Sequence, residues 1–239
     1  MAGMPFSFSA LLDRPDIWRG DSLSRAGSLV VSSGFPALDA ELPGGGWPAG
    51  ALIEILPAHE GIGELRLLGP ALAGLSRREL RLVWVAPPHL PYAPALAAAG
   101  IDVANLVVVR TASPKETLWA TEQALASNAC GAVLVWPQGA KYAELRRLQI
   151  AADGGRAPAF LFRVPEAASE SSPAPLRIAL GTSAGGLAIR VLKRRGAPLA
   201  RPILLPSMPP AARGKSHHVD RHPVASAAAR DFSARLVHA

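Results

Sequence analysis

Between residues 51 and 163 the chain alternates short, unbroken apolar runs with amphipathic stretches, and this alternation constrains the fold more than any other feature. An apolar run without period-two alternation reads as a strand buried on both faces. Such strands need a helical layer on each side of their sheet, and a strand–helix repeat supplies it. The reading places strands at Ala51–Leu56, Arg81–Ala86, Asn105–Arg110, Ala132–Trp136 and Pro158–Arg163. Helices are predicted between them at Leu65–Arg78, Ala93–Gly100, Pro114–Ser127 and Tyr142–Ala152. Right-handed crossovers then put helices on both sides. The expected fold class is α/β, with a mostly parallel central sheet flanked by helices.

Past residue 163 the texture changes. Glu166–Pro175 reads as a polar loop. Leu176–Leu180 and Leu187–Lys193 read as an antiparallel pair joined through Gly181–Gly186. Beyond Arg201 the chain is rich in Pro, Ala, Arg and His. Disorder is expected from about Pro206, with a short helix at Ser226–Leu236. Ahead of the core, Met1–Val30 is irregular, with one short helix near Asp16–Leu23. The predicted domain division is an N-terminal arm over 1–30, a core over 31–200 and a basic, disordered tail over 201–239.

Composition narrows the function classes. A chain of 239 residues with 49% hydrophobic and 18% charged residues can bury one sizeable core. No apolar run reaches the roughly 18 residues of a membrane span, and no secretory signal is visible at the N-terminus. The one cysteine, Cys130, cannot form an internal disulfide. A cytoplasmic location is the expectation. The net charge of +7 is unevenly placed. From Arg190 onward ten basic residues face only Asp220 and Asp231, a balance of +8, and the rest of the chain sums to −1. A basic tail attracts nucleic acid or acidic protein surfaces, or is simply solvated.

The most informative segment is Ser33–Leu68. It holds a Gly turn, a Leu-Asp pair, a second Gly-rich turn, a strand, and a short loop opening a helix. This resembles the nucleotide-binding entry of RecA. In such a loop backbone N–H groups cradle phosphates, a lysine neutralises them, and a Ser or Thr holds magnesium. Here the loop is Pro57-Ala58-His59-Glu60-Gly61-Ile62-Gly63-Glu64-Leu65. With Gly63 in the place of the second glycine, Glu64 stands in the place of the lysine and Leu65 in that of the hydroxyl, and Gly61 is a further glycine of the loop. An anion beside a phosphate at about 4 Å is repelled by roughly 4 kcal/mol at an effective dielectric of 20. Pro57, where the strand enters the loop, has no N–H to donate. The strand that should end in a magnesium-holding Asp ends instead in Trp136-Pro137-Gln138. The loop therefore reads as a degenerate phosphate-binding loop on a RecA-like core, with no cofactor and no catalytic residue expected.

Four further segments carry a more specific resemblance: Pro15-Asp16-Ile17-Trp18-Arg19-Gly20, Leu42–Gly50 (LPGGGWPAG), Gly61–Ala71 (GIGELRLLGPA) and Val191–Gly196 (VLKRRG). Together, over roughly Asp13–Gly196, they resemble the ImuA family, the RecA- and SulA-like proteins encoded with mutagenic translesion synthesis factors. GIGELRLL is the most specific part, because a RecA-type ATPase carries Gly-Lys-Thr there. The resemblance implies a non-catalytic adaptor in SOS mutagenesis. The implied partners are ImuB, RecA as a further contact, and an error-prone DnaE-type polymerase in the same complex. Two alternatives stay open: a SulA-like inhibitor of the division protein FtsZ, and a recombinase-type ATPase with an unusual loop. DNA binding through the tail is a third possibility, and no membrane partner is expected.

The candidate partner-binding residues are Trp18, Arg19 and Trp47, in irregular segments, and Lys193, Arg194 and Arg195, after a predicted strand. Trp84 and Trp136 end apolar strands and read as core. Glu60 and Glu64 open a helix, where carboxylates usually answer the dipole. His217, His218 and His222 have no Cys or carboxylate at metal-ligand spacing, so no metal site is expected. Ser183 sits in a Gly turn without a triad context.

Overall fold

The structure is a computed structural model that describes residues 29–206. The strands are β1 (Val30–Val31), β2 (Trp47–Pro48), β3 (Leu52–Pro57), β4 (Arg81–Val85), β5 (Leu106–Val109), β6 (Cys130–Val135), β7 (Ala159–Phe162), β8 (Leu176–Ser183), β9 (Gly186–Lys193) and β10 (Ile203–Pro206). The helices are α1 (Pro36–Asp39), α2 (Glu64–Ser76), α3 (Ala93–Ala98), α4 (Pro114–Ala126) and α5 (Tyr142–Ala152). Two 3-10 turns lie at Val103–Asn105 and Pro165–Ser169.

Eight strands form one sheet in the order β10-β9-β8-β3-β7-β6-β4-β5. Every neighbouring pair from β8 to β5 is parallel. Strand β9 runs antiparallel to both β8 and β10. This is an α/β architecture with a large, mostly parallel sheet flanked by helices, consistent with a RecA-like core. A separate two-stranded ribbon pairs Val30 with Pro48 and Val31 with Trp47.

Each face of the sheet has its own core. Side chains Ile53, Ile55, Leu82, Trp84, Leu134, Phe160 and Ile178 meet α1, α2 and α3 on the first face. On the second face, Leu52, Val83, Val85, Val133, Val135 and Leu161 meet Leu125 of α4 and Leu145, Leu148 and Ala152 of α5. The first face explains how α2 survives Pro70 in its interior. The proline removes a backbone donor, but Leu67, Leu68, Ala71, Leu72 and Leu75 are all buried. Helix α4 starts where the sequence signals it: Pro114 takes the first turn and Ser113 Oγ accepts from Glu116 N–H at 3.3 Å.

Three features depart from the sequence reading. Ile203–Pro206, placed in the expected tail, pair with β9 as an edge strand. Ile203 and Leu205 are buried there while Leu204 and Pro206 are exposed. Four residues with one buried alternation are too short a signal to separate from a Pro-rich tail. The loop at 166–175 contains a 3-10 turn and carries buried groups. Val30 and Val31, at the expected arm boundary, belong to the small ribbon. Residues 1–28 and 207–239 lie outside the described residues, and with them the Asp16–Leu23 helix, the Ser226–Leu236 helix and the three tail histidines. No helix among the described residues is long and apolar enough to cross a membrane.

Candidate functional site

Ligands of open parallel sheets bind beyond the carboxyl ends of the strands. Strand β3 ends at Pro57, and residues 58–63 carry the chain to α2. Gly61 and Gly63 take φ of +74° and +118°, conformations that a residue with a Cβ rarely adopts. Their N–H groups do not face an empty seat. Glu64 Oε1 accepts from Gly61 N–H at 3.1 Å, and Glu64 Oε2 accepts from Gly63 N–H at 3.0 Å. One carboxylate thus bridges both glycine amides at the start of α2, where the helix dipole favours negative charge. Leu65, next in the chain, is partly exposed and offers no hydroxyl. Glu60 lies 3.6 Å from His89 of the β4–α3 loop, both of them solvated.

At the end of β6 stands an aromatic ladder. Trp136 stacks on Phe162 with ring centroids 4.5 Å apart and planes 12° apart. Trp84 lies 5.8 Å from Trp136 at a tilt of 53°. The sequence placed Trp84 and Trp136 in the core, and the side chains pack as it expects. No group of three His, Cys, Asp or Glu that could hold a metal gathers among the described residues. A cavity of about 410 Å³ opens beside Gly63, lined by Ile62, Arg66, Leu67, Thr182, Ser183 and Leu205. The Ser183 hydroxyl lies 3.4 Å from its own turn's Gly186 carbonyl.

The largest charged constellation was not read from the sequence. Glu54, in the middle of β3, is fully buried. Arg177 Nε donates to its Oε2 at 2.6 Å, Ser172 Oγ to its Oε1 at 2.6 Å, and Arg163 Nη1 to Oε1 at 3.3 Å. Arg163 also donates to Glu170 Oε2 at 2.6 Å and to the Ala140 carbonyl at 3.2 Å. Arg177 reaches the carbonyls of Glu170 and Ala167 at 3.0 and 2.6 Å. The network fastens the 165–175 loop onto the sheet. Its signal is present in the sequence: ALIEIL, FLFR and LRIAL are apolar strands, each interrupted by one charge. Charges in otherwise apolar strands must meet one another to be buried. At Cys130, burial pushes the thiol up, and a hydrogen bond with Ser127 offsets this in part. Such a thiol makes a poor nucleophile.

No protein-family model matches the chain. It is 31% identical over 135 residues to Protein ImuA of Caulobacter vibrioides in each of two strains, covering 54% of this chain and 55% of the relative. The chain is a relative of the ImuA proteins. It thus spans about half the length of the ImuA relatives it matches. It is also 34% identical over 100 residues to the Cell division inhibitor SulA of Edwardsiella piscicida, covering 42% of this chain and 60% of that one.

The residues expected to meet a partner fare differently in this ImuA relative. Trp18 and Arg19 lie outside the described residues. Trp47 is fully buried, edge-on to Phe160 at 5.4 Å and 89°, and has no face to offer a partner. The sequence misread it because a Gly-rich turn surrounds it, whereas its ribbon folds it onto the first core. Lys193 is exposed and donates to the Ser172 carbonyl at 2.8 Å. Arg194 turns back onto Glu41, touching its carbonyl and, at 3.1 Å, its carboxylate. It therefore anchors the segment after α1. Arg195 is exposed.

Proposed function

We propose that this chain is a non-catalytic RecA-like adaptor in SOS-induced, error-prone translesion DNA synthesis. Its primary partner is ImuB, with RecA as a further contact and an error-prone DnaE-type polymerase in the same complex. One observation carries the non-catalytic half of the reading: the Glu64 carboxylate sits on the Gly61 and Gly63 amides. In a phosphate-binding loop those donors would serve the nucleotide. Here the loop supplies its own anion, and Trp136 stands where a magnesium-holding carboxylate would be. Kinship with ImuA supports the mutagenesis half.

Titration of a fluorescent ATP analogue with magnesium should show no saturable binding in the low micromolar range. Neither should the chain turn over ATP. Saturable binding would revive the recombinase-type ATPase. For the adaptor role, the full chain should co-purify with ImuB when the two are expressed together.

Trp18 is the aromatic anchor of the arm that the sequence singles out. Trp18→Ala should weaken ImuB binding by about 2 kcal/mol, the scale of an interface hot spot, with little change in melting temperature. A lower melting temperature together with unaltered binding of the folded protein would assign Trp18 to the core instead.

The SulA match supports a second reading, a SulA-like inhibitor that binds FtsZ. Sedimentation of FtsZ polymers with and without the chain separates the two. Loss of polymer at stoichiometric chain, without ImuB binding, selects the inhibitor.

A further inference from the structure

Strands of a parallel α/β sheet are normally covered on both faces, because each face carries apolar side chains, whereas antiparallel strands such as β9 and β10 can leave one face open. On the second face α4 and α5 cover β3, β7, β6 and β4, and the 165–175 loop covers Arg177 at the start of β8. Among the described residues the cover stops there. No residue of β8, β9 or β10 belongs to the second core. Alternation assigns Leu176, Ile178, Leu180, Ile189, Val191, Ile203 and Leu205 to the first core. Ala179, Gly181, Ala188, Arg190, Leu192 and Leu204 therefore share the other face. The register sets Gly181, Ala188 and Leu204 in one row across the three strands, with Arg190 opposite Ala179. Leu204 is 60% exposed. Arg190 is exposed, and no partner for it is found among the described residues.

We propose that this bare face of β8, β9 and β10 is a docking site for one amphipathic helix of a protein partner, with an apolar stripe and an acidic flank. Dimensions select a single helix. Three strands at about 4.8 Å spacing place the outer two roughly 10 Å apart, about the width of one helix. The small residues of the Gly181–Ala188 row let a helix approach closely, and Leu204 supplies the apolar contact.

Charge selects the acidic flank. Residues 171–206 contain six Lys or Arg and no Asp or Glu. Arg177 is spent on Glu54 and Arg194 on Glu41. Arg190, Lys193, Arg195 and Arg201 leave this wing of the sheet positive. The chain's own residues 207–239 carry five basic against two acidic residues, a charge of the same sign as the face, which argues for an acidic partner over the chain's own tail. Single-stranded nucleic acid is disfavoured because the face carries no aromatic side chain on which a base could stack.

The test uses the full chain and two synthetic helical peptides of about 15 residues, roughly 22 Å long. Both carry one Leu/Ala face. One has Glu on its flanks and the other Lys. The Glu peptide should bind saturably by fluorescence anisotropy and slow amide exchange in β8–β10. The Lys peptide should not bind. Arg190→Glu should weaken the Glu peptide at least about tenfold at unchanged melting temperature, as expected for a reversed contact charge, while Arg190→Lys keeps most of the affinity. Four results each overturn the proposal. The Glu peptide could fail to bind, both peptides could bind equally, or binding could be indifferent to Arg190→Glu. Finally, a labelled single-stranded oligonucleotide could compete for the face and be lost with the same variant.

Discussion

Glu54→Leu should cost about 3–5 kcal/mol of stability, the usual penalty when one partner of a buried ion pair is removed. Arg163 and Arg177, both buried, would be left facing each other across a leucine. Glu170 still neutralises part of Arg163, but it is mostly exposed and bonds on the solvent side. For a domain of this size the melting temperature should fall by on the order of 10 °C. The decisive contrast is the triple variant Glu54→Leu, Arg163→Met, Arg177→Met. Replacing a whole buried charge cluster with apolar groups is often neutral or stabilising. Thermal unfolding should therefore show the triple variant recovering most of the loss. If the single variant melts like wild type, the cluster contributes nothing to stability.

Trp47→Ala should cost a similar amount, about 3–5 kcal/mol for deleting a large buried aromatic. The indole is edge-on to Phe160, at the junction between the β1–β2 ribbon and the first core. Its N–H has no hydrogen-bond partner among the described residues, so the loss is one of packing. Trp47→Phe should be markedly milder. Chemical denaturation of both variants checks the order. The same pair tests Trp47 as a partner contact: any change in ImuB binding should follow the fraction of folded protein. Weaker binding by a fully folded Trp47→Phe would restore the partner role.

Local chemistry made much of this fold legible. Helix α5 falls at Tyr142–Ala152, the span its periodicity indicates, because Leu145, Leu148 and Ala152 recur on one buried face. Strands β3 to β7 are nearly continuous apolar runs, and each lies within two residues of its expected ends, whereas β8 runs three residues past its expected end, into the Gly turn. Features that depend on distant partners were hidden. Strand β10 exists because β9 offers an edge, and four residues do not announce that. Trp47 looked like a surface aromatic because its neighbours are glycines and prolines. Glu54 reads locally as the polar position of a strand, and only the fold brings Arg163 and Arg177 to it. In the loop, the substitution of Glu64 for a lysine was plain in the sequence. That the carboxylate would bind Gly61 and Gly63 needed the backbone path, since the left-handed glycines aim both amides at one point.

The placement of β3 also bears on how this chain is made. Glu54 bonds to Arg163 across 109 residues of sequence and to Arg177 across 123. Strand β3 lies between β7 and β8, yet it precedes both of these neighbours in the chain. A ribosome adding roughly 5–20 residues per second leaves β3 unpaired for on the order of ten seconds. Throughout that interval an apolar strand end waits beside an unneutralised carboxylate. The carboxylate keeps the nascent segment wetted and repels a second copy of itself, as a gatekeeper charge does. The residue that locks the finished sheet is therefore also positioned to guard it during synthesis.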